Sequence, residues 1–235
     1  MNEQYHQWYS PHLGADFQML TYGHNGYPVI IFPTTMGSFH EARDKGLIES
    51  ARWFVEQGLV RLYCVNSIDR QSWYNRGVSP AKRAENHHWY DKLIRWEVIE
   101  RVRENTGFAK VGVAGCSFGG YHAANIAFRY PETVSHLMSM SGAFNIRNFV
   151  GGHYDDNVYF NNPLDYVPNL DKSALWQMKI CLGTSDNDIC LAANLRMSEV
   201  LAAKKVDHWL DCRPNATHDW HVWKEMFPHY LSFVY

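Results

Sequence analysis

The stretch Gly115-Cys116-Ser117-Phe118-Gly119-Gly120 is the strongest structural signal in this sequence. It has the pattern G-x-S-x-G, follows an apolar run over 110–114 and precedes an alanine-rich run over 121–129. A strand that turns sharply into a helix strains its central residue and leaves little room beside it, which explains the glycines at 115 and 119. The pattern therefore predicts a strand, a tight turn that exposes the Ser117 hydroxyl, and a helix.

This turn would also place the backbone N–H of Phe118 at a helix N-terminus, where it can donate to a developing oxyanion. A glycine-rich turn in an unrelated α/β protein is the alternative interpretation, and the flanking strand and helix favour the nucleophile. We expect the neighbouring Cys116 to be buried and structural, because its side chain should point away from that of Ser117.

The composition is that of a soluble globular protein: 46% of the 235 residues are hydrophobic and 20% are charged. We expect one domain over 1–235. The formal net charge of −2 and the absence of a long basic or apolar run argue against nucleic acid and membrane partners. The first residues lack the features of a signal peptide, so we expect a cytoplasmic location. Five cysteines without a C-x-x-C pair favour reduced thiols, and we expect neither a metal nor a cofactor.

The rest of the chain alternates between strands and helices, which predicts an α/β fold with a mostly parallel sheet covered on both faces. Glu97 lies among apolar neighbours at helical spacing, so we expect it to face inward and to need hydrogen-bond partners. The predicted strands span 3–10, 15–21, 27–32, 60–65, 133–140, 177–182 and 206–212, and the predicted helices 47–57, 86–103, 189–205 and 220–234.

Two long segments without clear periodicity could contribute to a site. A polar loop is predicted over 66–85, and its Trp73 and Tyr74 are candidates for lining a substrate pocket. The segment 143–175 is rich in aromatic residues and carries Gly151-Gly152, so it is a candidate flap or cap insertion over the site.

A serine hydroxyl attacks efficiently only when a base removes its proton and a carboxylate orients that base. Asp186 follows the predicted strand 177–182 and is the preferred carboxylate. Asp188 competes, although its place before a helix suits an N-cap. His218 follows the last predicted strand and is the candidate base, since imidazole can exchange protons near neutrality. The spacing His218-x-x-His221 is a weak metal signal without a convincing third ligand.

Four motifs in this order resemble the putative-esterase branch of the α/β-hydrolases, the group around esterase D, feruloyl esterases and the mycolyltransferase antigens. The motifs are Gly115 to Gly120, Ser141-Gly142-Ala143-Phe144, Gly183-Thr184-Ser185-Asp186 and His218-Asp219-Trp220. The resemblance spans nearly the whole chain. It implies an α/β-hydrolase fold with Ser117, Asp186 and His218 as nucleophile, acid and base.

The resemblance also implies a second oxyanion donor in the loop after the third strand, Pro33-Thr34-Thr35-Met36. Alignment of the strand end selects the N–H of Thr35, with Thr34 and Met36 as alternatives, because Pro33 has no N–H. A plain strand-to-helix connection remains the other interpretation of this loop.

Together these patterns predict a serine esterase that hydrolyses a small-molecule carboxylic ester through an acyl-enzyme on Ser117. An acyltransferase with the same triad is one alternative. A catalytically inactive binding protein on the hydrolase scaffold is another, because a fold does not fix a function. The sequence does not determine the oligomeric state.

Overall fold

The computed structural model describes residues 1–234, apart from the side chain of Lys172. Within this part of the chain, eight strands form one sheet in the order β1-β2-β4-β3-β5-β6-β7-β8. The strands are β1 Glu3–Ser10, β2 Ala15–Tyr22, β3 Tyr27–Phe32, β4 Val60–Val65, β5 Val111–Cys116, β6 Val134–Met140, β7 Lys179–Asn187 and β8 Trp209–Thr217. β2 pairs antiparallel with β1 and β4, and all the other pairs are parallel. The prediction of a mostly parallel sheet is confirmed.

Helices cover both faces of this sheet. The helices are α1 Glu41–Asp44, α2 Leu47–Ser50, α3 Arg52–Glu56, α4 Pro80–Leu93, α5 Ile99–Thr106, α6 Phe118–Arg129, α7 Asp156–Tyr159, α8 Pro163–Tyr166, α9 Leu191–Ala203 and α10 Trp220–Leu231. One apolar cluster unites the sheet with α4, α5, α6 and α9, and a second cluster unites it with α1, α2, α3 and α10. No helix in residues 1–234 is long and apolar enough to cross a bilayer.

Strand β5 shows how the sequence produces this layering. All of its residues are buried, and their side chains alternate between the faces. Val111 and Val113 join the first cluster, whereas Ala114 and Cys116 join the second. Cys116 is 1% exposed, and burial raises the pKa of its thiol well above the ordinary value. The prediction of a buried structural cysteine is confirmed.

Several element ends differ from those predicted. Helix α4 begins at Pro80 rather than at 86, because the Ser79 hydroxyl accepts the Lys82 N–H at 3.2 Å and proline suits the first helical position. Strand β7 continues to Asn187 instead of ending at 182. Strand β8 begins at Trp209 and continues through Pro214 to Thr217. The last two differences change the assignment of the candidate site.

Glu97 lies in a π-helical turn, Ile94–Val98, between α4 and α5. Its carboxylate accepts hydrogen bonds from Trp8 Nε1 at 2.7 Å and Ser10 Oγ at 2.7 Å, and His12 Nδ1 lies 2.6 Å away. The inward-facing carboxylate with structural partners is confirmed. It fixes the β1–β2 hairpin to the helical layer.

The segment 143–175 is a chain of short helical turns. Besides α7 and α8 it contains the 3-10 turns Arg147–Phe149, Val167–Asn169 and Lys172–Leu175. Phe144, Val158 and Tyr166 from this segment are at most 2% exposed. Whether part of the segment moves as a flap stays a prediction.

Candidate active site

Ser117 joins β5 to α6 in a strained conformation, with φ 55° and ψ −120°. Such a backbone is rare for a residue with a side chain and turns the chain abruptly. A Cβ at Gly115 would lie 2.3 Å from the carbonyl carbon of Gly119. A Cβ at Gly119 would lie 2.4 Å from the Phe32 carbonyl oxygen. The two glycines therefore permit the contact between the turn, its helix and the end of β3.

His218 follows β8 directly and contacts the serine. Its Nε2 lies 2.9 Å from Ser117 Oγ, a hydrogen-bond distance suited to proton transfer. The Trp223 ring packs edge-on against the imidazole at 4.9 Å and 88°. The structure thus brings together two of the three residues predicted as a triad.

The structure does not bring Asp186 to His218, so the prediction that it orients this histidine is wrong. Because β7 runs on to Asn187, Asp186 still belongs to the strand. Its carboxylate accepts the N–H groups of Asn215 at 2.7 Å and Ala216 at 3.2 Å, both on β8. Asp186 joins the exposed ends of the last two strands.

Asp188, one residue beyond the end of β7, occupies the position against the histidine. Its Oδ1 lies 2.7 Å from His218 Nδ1, and its side chain is 0% exposed. Oδ1 also accepts the Cys190 N–H at 2.7 Å, and Oδ2 accepts the Thr184 hydroxyl at 3.2 Å. The bond to the Cys190 N–H is the kind of contact that the N-cap interpretation of Asp188 predicts. That interpretation is incomplete, because the same carboxylate also binds the His218 imidazole.

These hydrogen bonds govern the charge of Asp188. Burial disfavours the carboxylate, but hydrogen bonds from His218, the Ser141 hydroxyl and the Cys190 N–H outweigh it and hold the pKa below its ordinary value. Asp188 is therefore ionised near neutrality. An anion at Nδ1 keeps the proton on that nitrogen and leaves Nε2 free to accept one from Ser117.

Ser141 supports this carboxylate, a role that the sequence analysis did not assign. It follows β6 with a positive φ of 56°. Its hydroxyl oxygen accepts the Trp223 Nε1–H at 2.9 Å and donates to Asp188. The only sequence signal for this role is the Ser141-Gly142 pair directly after a strand. Neither its spacing nor its residue types indicate that Ser141 binds Asp188.

The loop after β3 offers three candidate oxyanion donors, of which two are already used. The N–H of Thr34 donates to Glu41 Oε2 at 2.7 Å, and that of Met36 donates to Asp69 Oδ2 at 2.8 Å. Within residues 1–234 the N–H of Thr35 has no acceptor. Phe118 is the first residue of α6, and its N–H precedes the first bond along that helix.

Aromatic rings flank this site. Tyr74 and Phe149 are half-buried, with ring centroids 4.8 Å apart, and both rings contact Phe118. Trp73 is 0% exposed, and its Nε1 donates to Tyr121. Trp73 therefore packs behind Phe149 and does not itself line a substrate pocket.

In the described part of the chain, Asp188, Cys190 and His218 form the group of side chains that could hold a metal, with ligand atoms within 4.8 Å of one another. The 2.7 Å between Asp188 Oδ1 and His218 Nδ1 is a direct hydrogen bond. A Zn²⁺ held between them by bonds of about 2 Å would separate these atoms by roughly 3 Å or more. Their present geometry fits a direct hydrogen bond between carboxylate and imidazole better than metal binding.

A groove of about 820 Å³ lies elsewhere, where β7 and β8 begin. Trp176, Lys179 and Trp209 are among its lining residues. Ser117 and His218 lie where β5 and β8 end, so this groove is remote from them. The size of a groove therefore does not identify the candidate active site of this protein.

Comparisons with known proteins identify the family of this chain. Residues 24–234 match the protein family described as Putative esterase. The chain belongs to this family. It is accordingly a carboxylic ester hydrolase, and the serine in its strained turn is the feature expected of such an enzyme. No curated protein matches the sequence.

Solved structures confirm the α/β-hydrolase fold. A ferulic acid esterase has a TM-score of 0.79 and 14% identity, over 99% of this chain and 97% of its own. A substrate-bound fluorophosphonate-binding serine hydrolase of Staphylococcus aureus has a TM-score of 0.77 and 14% identity, over 99% and 98%. An S-formylglutathione hydrolase of the same organism has a TM-score of 0.72 and 16% identity, over 99% and 96%.

Proposed function

We propose that the protein is a serine esterase that hydrolyses a small-molecule carboxylic ester or thioester through an acyl-enzyme on Ser117. The continuous chain of hydrogen bonds from Ser117 Oγ through His218 to Asp188, at 2.9 and 2.7 Å, carries this proposal. The first distance allows proton transfer between the hydroxyl and the imidazole, and the second allows the carboxylate to orient and stabilise that imidazole.

In the first half-reaction Ser117 Oγ attacks the ester carbonyl carbon while His218 Nε2 takes the hydroxyl proton. Asp188 stabilises the resulting imidazolium and does not itself take the proton. His218 then gives the proton to the leaving alcohol or thiol as the bond from the carbonyl carbon to that group breaks. In the second half-reaction a water repeats the sequence on the acyl-enzyme, releasing the acid and Ser117.

The N–H groups of Phe118 and Thr35 would stabilise the negative oxygen of both tetrahedral intermediates. Phe118 contributes from the start of α6, where the helix dipole favours an anion. Thr35 would contribute from the loop after β3, where its neighbours' N–H groups are already used. Removing one such donor costs other enzymes about 10²- to 10³-fold in kcat.

The half-buried aromatic pair beside Phe118 supports an acyl group of modest size. Tyr74 and Phe149 offer ring faces, and Tyr74 Oη lies 3.4 Å from Thr35 Oγ1. Two of the similar structures are a ferulic acid esterase and an S-formylglutathione hydrolase, whose names indicate an aromatic acyl group and a one-carbon acyl group. We expect the acyl group of this protein's substrate to fall within that range of sizes.

Hydrolysis of p-nitrophenyl esters of increasing acyl length tests this proposal. The unmodified protein should turn over at least the short esters and should be labelled covalently by a fluorophosphonate probe. Ser117→Ala should abolish labelling and lower kcat by about 10³-fold or more, since the nucleophile is lost.

Ser198→Ala is the matched control. Ser198 Oγ also hydrogen bonds to a histidine, His208 Nε2, at 2.7 Å, but the other nitrogen of that ring faces the Val206 carbonyl instead of a carboxylate. This variant should keep its activity and its labelling. Turnover that persists in Ser117→Ala, or an unmodified protein that neither reacts nor labels, would overturn the proposal.

A further inference from the structure

We propose that Glu41 and Asp69 are positioning residues, two carboxylates that hold the loop 33–37 so that the Thr35 N–H faces the reacting carbonyl. The inference rests on the proposed esterase function and adds to it the means by which the second oxyanion donor is kept in place. Neither carboxylate touches Ser117 or His218 in the hydrogen bonds described above.

The two carboxylates bind the residues on either side of Thr35. Glu41 Oε2 accepts the N–H of Thr34 at 2.7 Å, and Asp69 Oδ2 accepts the N–H of Met36 at 2.8 Å. A backbone N–H bound to an ionised acceptor is held more firmly than one bound to a neutral group. Fixing both neighbours therefore fixes the direction of the N–H between them.

The loop needs such support because its backbone is strained. Met36 has a positive φ of 53°, a conformation that a residue with a Cβ adopts at a cost. The turn is closed by a bond of 2.9 Å from the Gly37 N–H to the Thr34 carbonyl. Turns with a positive φ at their third residue usually place glycine or asparagine there. Methionine at this position implies that contacts outside the turn maintain it.

Asp69 also connects the loop to the helix that follows Ser117. It is 0% exposed, and its Oδ1 lies 3.0 Å from His122 Nε2 on α6. The His122 ring stacks on Phe32, at the end of β3, and meets Phe118 edge-on at 4.9 Å. The carboxylate thereby couples the loop of one proposed donor to the helix of the other.

Glu41, the first residue of α1, provides the second anchor of the loop. Its Oε1 accepts the Thr34 hydroxyl at 2.8 Å, so the carboxylate binds that residue twice. A Cβ at Gly37 would lie 2.6 Å from Glu41 Oε2. Glycine at 37 is thus explained by the close approach of this carboxylate.

The negative charges themselves oppose catalysis, since they lie near a developing oxyanion and like charges repel. Their contribution must come from accepting hydrogen bonds in a fixed direction. An amide oxygen can accept the same bonds without the charge. Alanine should therefore abolish the effect, and asparagine or glutamine should recover much of it.

The test measures steady-state kinetics with a short p-nitrophenyl ester and inhibition by phenylboronic acid, whose serine adduct places an oxygen at the oxyanion position. Glu41→Ala and Asp69→Ala should each lower kcat about 10- to 100-fold, with KM changed less than about threefold. The boronate inhibition constant should rise by a similar factor. Glu41→Gln and Asp69→Asn should each have a kcat at least about tenfold above that of the corresponding alanine variant. In Asp69→Asn the amide oxygen would accept the Met36 N–H, so the amide NH₂ would donate to His122 Nε2.

Asp91→Ala is the matched control, because Asp91 is another buried carboxylate that contacts α6, through Asn125, away from the loop. It should lower the melting temperature with little effect on kcat. An equal loss of kcat in Asp91→Ala, or amide variants as slow as the alanine variants, would overturn the proposal. If Asp69→Ala fails to fold, Glu41→Ala decides, since that side chain lies on a short, half-buried helix.

A second readout needs no activity. Hydrogen exchange in a peptide covering 33–37 should be faster in both alanine variants than in the unmodified protein. Unchanged exchange would overturn the anchoring even if the enzyme were inactive. An inactive unmodified protein with faster exchange in the variants would count against the esterase proposal alone.

Discussion

At the scale of single residues, two aspartates two positions apart have unrelated environments. Asp188 is enclosed and receives donors from His218, Thr184 and the Cys190 backbone, whereas Asp186 is exposed and binds backbone groups of β8. The carboxylate that can orient His218 is therefore the one sequence analysis ranked second. Residue type could not separate them, because both are aspartates near the same strand end.

The pair provides a sharp comparison of variants. Asp188→Asn should lower kcat by about 10³- to 10⁴-fold, because an amide neither stabilises the imidazolium nor holds its tautomer. Asp186→Asn should stay within about threefold of the unmodified protein, since an amide oxygen can still accept backbone N–H groups. Steady-state kinetics with a short ester measures both. A similar loss in the two variants would contradict the assignment to Asp188.

At the scale of elements, the sequence predicted the strands of the sheet and the longer helices, but it missed the short helices α1, α7 and α8, and several element ends differ. Apolar runs such as 27–32 and 60–65 coincide with β3 and β4, because strands buried on both faces are continuously hydrophobic. Strand β8 keeps pairing with β7 through polar residues and Pro214, where the apolar signal has stopped. Since β8 is an edge strand, its outer backbone groups need no partner strand, and a proline is tolerated.

Asp188 follows its strand, as the predicted carboxylate was expected to do, but the end of that strand was misplaced in the prediction. Strand β7 ends after a register shift between Ser185 and Asn187, a detail of pairing with β8 that the isolated segment does not reveal. The turn at Ser117 could be predicted more closely, because the glycines at 115 and 119 constrain it locally. The ends of β7 and β8 could not be predicted in the same way, because they depend on pairing between two strands separated in the sequence.

The attachment of the β1–β2 hairpin predicts a pH dependence of stability. Burial disfavours the Glu97 carboxylate, but hydrogen bonds from Ser10, His12 and Trp8 outweigh it and lower its pKa. A lowered pKa in the folded state gives stability that is fully present above the unfolded value, about 4.3, and is lost as the pH falls through the folded value. Glu97→Gln should therefore melt below the unmodified protein at pH 7, and the gap should narrow as the pH falls below about 4.

Thermal unfolding followed by circular dichroism between pH 7 and pH 3 measures this gap. Glu104→Gln is a suitable control, because Glu104 is an exposed glutamate on α5, and its melting temperature should follow that of the unmodified protein throughout. A gap for Glu97→Gln that is constant with pH would show that the lost hydrogen bonds, and not the carboxylate charge, stabilise the hairpin.

At the scale of the whole molecule, buried polar contacts join segments far apart in sequence. Asn161, in the irregular segment 143–175, accepts from Asn125 and Arg129 on α6 through its side chain. No periodicity in the sequence predicts such contacts, because amides and hydroxyls pair by geometry rather than by pattern. These contacts attach the middle of the segment 143–175 to α6.

The Tyr121 hydroxyl is a centre of this polar network and supplies a test of it. It lies 3.2 Å from Trp73 Nε1 and 3.1 Å from His87 Nε2, and it donates to the Asn161 carbonyl at 2.9 Å. Burial lowers the pKa of His87 well below its ordinary value, so that ring is neutral near pH 7. Tyr121→Phe would leave three buried polar groups without this partner.

We expect Tyr121→Phe to lower the free energy of unfolding by about 1–3 kcal/mol, because a buried group that loses its partner keeps the desolvation penalty. Tyr90→Phe is the control: the Tyr90 hydroxyl is bonded to one carbonyl, that of Asn66, at 2.8 Å. Urea denaturation should give a smaller loss for Tyr90→Phe. If the two losses were equal, the hydroxyl would not join the three segments as a unit, and the segment 143–175 would be attached to α6 mainly by its other contacts.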